Sequence, residues 1–193
     1  MDTNTNNSQI PSSEKEKSSF IELLRFTLIA LVIIVPIRFF IAKPFIVSGS
    51  SMDPTFRNGE YLIVDELSYR FGTPNRGDVI IFKYPKDETK FYIKRIVGLP
   101  YETVESKAGK ITITNVSHPL GFVLYEPYLE NKSADSFTVT LGDEYFVMGY
   151  NRSQSSDSRY WGPLKENLIV GRPFVRLHPF QKINWIKKLF DLV

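Results

Sequence analysis

The pattern of apolar and polar positions divides the chain into a polar start, one long apolar stretch and a series of short apolar runs. Met1 to Ser19 is rich in Asn, Ser, Lys and Glu. With few apolar residues to bury, it is expected to be a disordered tail. Phe20 to Ala42 then reads FIELLRFTLIALVIIVPIRFFIA. It is apolar all round, whereas a helix on a soluble core keeps a polar stripe. Its charges, Glu22, Arg25 and Arg38, fall toward the ends, where long side chains reach the interface. The uncharged centre, Phe26 to Ile37, falls short of the roughly 20 residues that a spanning helix needs. As a helix, the whole stretch would be about 35 Å long, which suffices. A single transmembrane anchor over 20–42 is therefore expected. A cleavable leader fits poorly, because Lys43-Pro44-Phe45-Ile46 offers no small-residue cut site. Charge does not set the orientation. Lys15, Lys17 and Arg25 on one flank are met by Arg38 and Lys43 on the other.

Beyond residue 43 the apolar runs are short and set off by Gly, Pro, Asn and Asp, the mark of strands. Tyr61–Val64 follows Asn58-Gly59, and Asp78–Phe82 follows Asn75-Arg76-Gly77. Phe91–Val97 follows the polar turn around Lys86-Asp87-Glu88, and Lys110–Thr114 follows Ala108-Gly109. Phe137–Leu141 and Tyr145–Met148 flank Gly142-Asp143, a hairpin signal. Leu168–Val170 and Phe174–Arg176 close the set. A mainly β domain over about 43–180 is expected. The more polar stretch 106–136 reads as a small irregular insertion. The amphipathic segment 181–193, with Trp185 among lysines, suits either a membrane surface or a closing helix.

Composition narrows the chemistry. The 193 residues include no cysteine, which excludes disulfides, thiolate metal sites and a cysteine nucleophile. The two histidines, His118 and His178, each stand beside a proline and read as surface or turn residues. A histidine-based triad or a multi-histidine metal site has little support. No metal and no cofactor is expected. The net charge of +3, without a long basic run, gives no reason to expect a nucleic-acid partner.

Two segments carry candidate chemistry. Ser48-Gly49-Ser50-Ser51-Met52-Asp53-Pro54-Thr55 is a bend that offers hydroxyls and backbone N–H groups. Phe91-Tyr92-Ile93-Lys94-Arg95 places a lysine inside an apolar strand. Side chains alternate along a strand, so Lys94 shares a face with Tyr92 and Ile96, and Arg95 takes the other. Apolar surroundings disfavour the ammonium and lower a lysine pKa toward the range where it acts as a base. A serine hydroxyl needs such a base before it attacks. A third segment, Gly149 to Gly162, is a polar loop directly after an apolar strand. Its hydroxyls could orient the amine, and Asp157 with Arg159 could brace it. Taken singly, a Ser-rich turn, a lysine that reaches water and a solvated loop account for the three segments equally well.

In combination and order these motifs resemble the bacterial type I signal peptidases. The resemblance rests on Gly49-Ser50-Ser51-Met52-Asp53-Pro54-Thr55, Arg76-Gly77-Asp78-Val79-Ile80-Ile81-Phe82, Tyr92-Ile93-Lys94-Arg95-Ile96-Val97-Gly98-Leu99-Pro100 and the Gly149–Gly162 loop followed by Gly171-Arg172. It covers about residues 20–176. It implies a signal-peptidase-like β-barrel or β-sheet catalytic domain outside the plasma membrane, held by a single-pass N-terminal transmembrane helix, with the tail 1–19 cytoplasmic. It implies Ser51 as nucleophile with its backbone N–H at the oxyanion, Lys94 as general base, Ser155 as the hydroxyl that orients the lysine, and Asp157 and Arg159 as structural residues. The partners implied are preprotein signal peptides, cut after small residues of the Ala-X-Ala type, and membrane lipid. Tyr150 departs from the family's usual Asp, and Ser153-Gln154 from Asp-Asn. Gly49 stands where some members carry a serine that helps to bind the oxyanion. The alternatives are a self-cleaving Ser/Lys protease, which would need a DNA-binding domain in place of residues 1–42, and a non-catalytic tethered β-domain.

Overall fold

The computed structural model describes residues 12–36, 42–129, 134–178 and 184–185. Contacts divide the chain into two units, residues 1–40 and 41–193.

The first unit holds one helix, α1 (Ser12–Pro36). It begins inside the stretch expected to be a disordered tail. Glu14, Lys15, Glu16 and Lys17 are all good helix formers, which favours extending the helix into the polar run. Residues 1–11 of that expected tail lie outside the described residues. Phe20, Leu24, Leu28 and Val32 are exposed along one line of α1, and Phe26, Ile29 and Ile33 are exposed on others. Among the described residues no helix is long and apolar enough to cross a membrane. Residues 37–41 of the expected anchor lie outside the description, and Ala42 already belongs to a strand.

The second unit is mainly β. Its strands are β1 (Ala42–Ile46), β2 (Tyr61–Asp65), β3 (Val79–Tyr84), β4 (Asp87–Gly98), β5 (Thr103–Lys107), β6 (Lys110–Asn115), β7 (His118–Val123), β8 (Phe137–Thr140), β9 (Phe146–Met148), β10 (Ile169–His178) and β11 (Asn184–Trp185). Two single-turn helices, α2 (Ser68–Phe71) and α3 (Ser158–Trp161), join them. The larger sheet runs in the order β1-β2-β10-β3-β4-β9, with β11 on β10. The smaller runs β7-β6-β5-β8, and all the pairings are antiparallel. The larger sheet curls, so that Phe45 on β1 meets Phe91 on β4 edge to face with ring centres 5.2 Å apart.

β4 and β9 serve two cores at once. Ile96 and Val147 pack with Ile80, Phe82 and Leu164 on one side. Val97, Phe146 and Met148 pack with Val104, Ile111 and Ile113 on the other. A strand buried on both faces reads as a continuous apolar run, which is how Phe146-Val147-Met148 appears in the sequence. Each fully buried aliphatic or Phe side chain contributes about 1.5–3 kcal/mol. Gly98 permits the crossing from one sheet to the other. A Cβ there would stand 2.5 Å from Val104 Cγ2 and 2.9 Å from Leu141 Cδ1.

Several expectations change. Gly142-Asp143 does not close a hairpin, because β8 pairs with β5 and β9 with β4. The turn instead passes the chain from one sheet to the other, where Tyr101 N–H donates to the Gly142 carbonyl and Leu141 N–H to that of Glu102. The stretch 106–136 is more regular than expected: the end of β5 and all of β6 and β7 lie in it, within the smaller sheet, which starts at Thr103 and packs an apolar core. His118 opens β7 rather than lying in a loop, and it is exposed. His178 ends β10, a single strand where two runs were expected. Of the C-terminal segment, Asn184 and Trp185 form a strand on β10 instead of a helix, and the rest lies outside the described residues.

Candidate active site

The loop after β1 is fixed at both ends. Gly59 N–H donates to the Val47 carbonyl and Val47 N–H to that of Glu60, which continues the β1–β2 pairing past its last residue. Gly49 takes φ +93°, a left-handed conformation that favours glycine. Its N–H donates to Asn58 Oδ1 at 2.9 Å. Met52 and Phe56 then plunge into a third core with Val47, Leu62, Val79 and Tyr150. These two anchors hold Ser51 half-exposed on a groove of about 490 Å³.

Across the groove stands Lys94 on β4, opposite Ile80 of β3. Tyr92 and Ile96, the strand neighbours on its face, belong to one apolar cluster. Lys94 is 4% exposed. Burial pushes its pKa down to about 8, although the charge of Asp157 pulls the other way. Its Nζ lies 2.7 Å from Ser51 Oγ and donates to the Ile93 carbonyl at 2.9 Å. The ring of Tyr92 faces the amine at 5.4 Å. A neutral amine at this distance can accept the hydroxyl proton, and the oxygen is then a nucleophile.

The loop after β9 forms the third side. Asn151 N–H donates to the Ser51 carbonyl at 3.0 Å, tying this loop to the bend. Asp157 is fully buried and accepts from Gly149 N–H at 3.1 Å. It caps α3 and pairs with Arg159, whose Nε lies 2.8 Å from Oδ1. Arg159 also reaches Asp135 and the Arg152 carbonyl. Ser155 is buried in the same loop, yet its hydroxyl has no hydrogen-bond partner among the described residues. The expected bond from Ser155 to Lys94 is not formed here, and the amine is bonded to Ser51 and Ile93. Ser155 Oγ points instead at Gly149, 2.3 Å from where a Cβ would stand.

The structure thus brings Ser51, Lys94, Ser155 and Asp157 into one neighbourhood, with Arg159 behind Asp157. The sequence reading missed other residues. Ser50 Oγ donates to Gln154 Oε1 at 2.7 Å, joining the two loops beside the groove. Tyr150 fills the core under Ser51 and accepts from Arg95. The sequence signals for Tyr150 are an aromatic residue directly after an apolar strand and its departure from the family's usual Asp, and neither points to Arg95. No metal site is apparent, since no group of three or more His, Asp or Glu gathers among the described residues.

Comparison with known proteins gives the class to which this fold and site belong. The family described as signal peptidase, peptidase S26, matches residues 20–178. A probable signal peptidase I-1 of Synechocystis sp. is 36% identical, covering 90% of this chain and 88% of that protein. A signal peptidase I of Bacillus licheniformis is also 36% identical, over 89% of this chain and 96% of that protein. A crystal structure of a signal peptidase I from Enterococcus faecalis is 32% identical with a TM-score of 0.45, over 52% of this chain and 97% of that one. The chain belongs to the peptidase S26 signal peptidases, as a serine endopeptidase of the bacterial type I group.

Proposed function

We propose that this chain releases exported preproteins from their N-terminal signal peptides through a Ser51–Lys94 dyad. The 2.7 Å approach of Lys94 Nζ to Ser51 Oγ carries this reading. Ser51 Oγ attacks the scissile carbonyl while its proton passes to the neutral Lys94 amine. Lys94 then gives that proton to the departing amine, the C–N bond breaks, and an ester to Ser51 remains. Water, deprotonated by Lys94, cleaves the ester and restores both side chains. The N–H of Ser51 stabilises the oxyanion. Because Gly49 carries no side-chain hydroxyl, backbone donors serve this role alone on that side.

The groove suits an extended substrate. One wall is β1, whose outer edge has no strand partner among the described residues, with the segment 47–50 beyond it. The other is the start of β4, which pairs with β9 only from Arg95 onward. A peptide laid between them gains main-chain hydrogen bonds as an added strand. Leu62, Ile81 and Ile93 line the groove between those walls, where small side chains of the Ala-X-Ala type fit. The exposed apolar turns of α1 support a single-pass anchor in the plasma membrane, with the catalytic unit on its outer side.

The test is cleavage of a preprotein by the full chain and by Ser51→Ala and Lys94→Ala. Both variants should lose at least about 10³-fold in rate. Cleavage that survived either substitution would remove the mechanism.

A further inference from the structure

Arg95 follows Lys94 on β4 and turns to the opposite face. It is 3% exposed, and a cation so far from water is costly unless it is fully engaged. Its partners are not a carboxylate. Nε donates to the Tyr150 phenol oxygen at 2.9 Å, and a second guanidinium N–H donates to the same oxygen. Nη1 donates to the Gly77 carbonyl at 2.5 Å. The guanidinium carbon lies 4.3 Å over the ring of Tyr128, a cation–π contact in a dry setting. The Tyr128 and Tyr150 rings are themselves 4.6 Å apart.

Both tyrosines connect outward to the site. The ring of Tyr150 packs in one buried cluster with Met52, in the bend that carries Ser51. The residue after it, Asn151, holds the Ser51 carbonyl. Tyr128 donates to Glu126 at 2.7 Å. Glu126 pairs with the buried Arg152, whose Nε donates to the Gly149 carbonyl at 2.9 Å. Tyr150 thus joins β4, the Ser51 bend and the loop after β9. The segment that leads out of the smaller sheet supplies the ring that covers the cation.

We propose that Tyr150 and Tyr128 are positioning residues for the Ser51–Lys94 pair, clamping Arg95 so that β4 and the Ser51 bend keep the separation that proton transfer needs. The proposal rests on the dyad reading above. Transfer rates fall steeply with misplacement, a shift of 1 Å costing up to about 10²-fold. Neither tyrosine lines the groove, so substrate affinity is not at stake.

The experiment measures kcat and KM of the full-length enzyme on a preprotein, with Ser51→Ala in parallel. Tyr150→Phe keeps the ring and removes the shared oxygen. It should lower kcat by about tenfold or more, with KM within about twofold. Tyr128→Phe keeps the ring over the guanidinium, loses only the link to Glu126, and should lower kcat less than Tyr128→Leu. Tyr128→Leu loses the ring and should fall with Tyr150→Phe. The rates are compared well below each variant's Tm. A Tyr150→Phe enzyme with the kcat of the parent would overturn the proposal, as would equal kcat in Tyr128→Phe and Tyr128→Leu. The second comparison decides the matter if Tyr150→Phe fails to fold. Failure of the dyad reading looks different, since cleavage would then persist in Ser51→Ala.

Discussion

At the scale of single residues, the proposed dyad makes Lys94 the group that sets how the enzyme responds to pH. Its pKa in the fold is about 8, against 10.5 for an unhindered lysine. Only the neutral amine is a base, so kcat/KM should rise with pH along a limb centred near 8 and then level. A limb centred near 10 would show that burial does not tune this amine. The same shift acts on stability. Between about pH 8 and 10.5 the unfolded chain binds more protons at this position than the folded one, so stability rises with pH across that window. Below it, the charged amine in its dry site costs about 3 kcal/mol. Lys94→Met should therefore be inactive yet more stable at pH 7, by roughly 1–3 kcal/mol, with the gain gone near pH 10.5. Denaturant unfolding at the two pH values checks this.

Ser155 makes a second residue-scale prediction. Its buried hydroxyl has no partner among the described residues of the resting enzyme, so Ser155→Ala should leave Tm nearly unchanged. If the hydroxyl turns to the amine during reaction, kcat should still drop, but less than in Lys94→Ala. A large loss of Tm would mean that the hydroxyl holds the loop together in the resting state.

At the scale of elements, the loop between β9 and α3 is packed against its neighbours with no slack. A Cβ on Gly149 would stand 2.6 Å from the Ser51 carbonyl oxygen as well as close to Ser155. Backbone on one side cannot yield, so Gly149→Ala should cost about 2–4 kcal/mol and lower kcat by pushing Ser51 away from Lys94. Unfolding and turnover measured on the same preparation check it, and an intact kcat would mean that the bend absorbs the shift. Legibility in the sequence followed the same lines. β3, β4 and β9 announced themselves because they bury continuous apolar runs, and β2 because its apolar run follows a clear turn signal. β5 and β7 did not, because Thr103-Val104-Glu105-Ser106-Lys107 buries only one face of a small sheet and His118-Pro119-Leu120 is exposed throughout. β1 was hidden behind the apolar stretch before it. The 142–143 turn misled because a turn signal shows where the chain bends and is silent on which neighbours it will find. Ser51, Lys94 and Asp157 were readable as residue types in fitting surroundings. The Tyr150–Arg95–Tyr128 cluster was not, since it joins three segments far apart in the chain.

At the scale of the molecule, the two units invite separation. The β unit has three apolar cores of its own, and the exposed apolar residues of α1 lie in the other unit. Deleting residues 1–40 should leave the Tm of the β unit within about 2–4 °C of the full chain. The full chain should partition into detergent and the shortened one into water, as phase separation would show. A shortened chain that failed to fold would mean that α1 carries part of the core. The curled sheet has a consequence of its own. Where β1 and β4 fall short of meeting, the enzyme presents a slit whose sides both ask for a partner backbone. On the strand addition proposed above, only a stretch of polypeptide with its own amides still unspoken for can answer, so a junction already wound into a helix or folded into a finished domain would be shut out. Selection of what to cut then begins before any side chain is tested, with whether the passing chain is still unfolded.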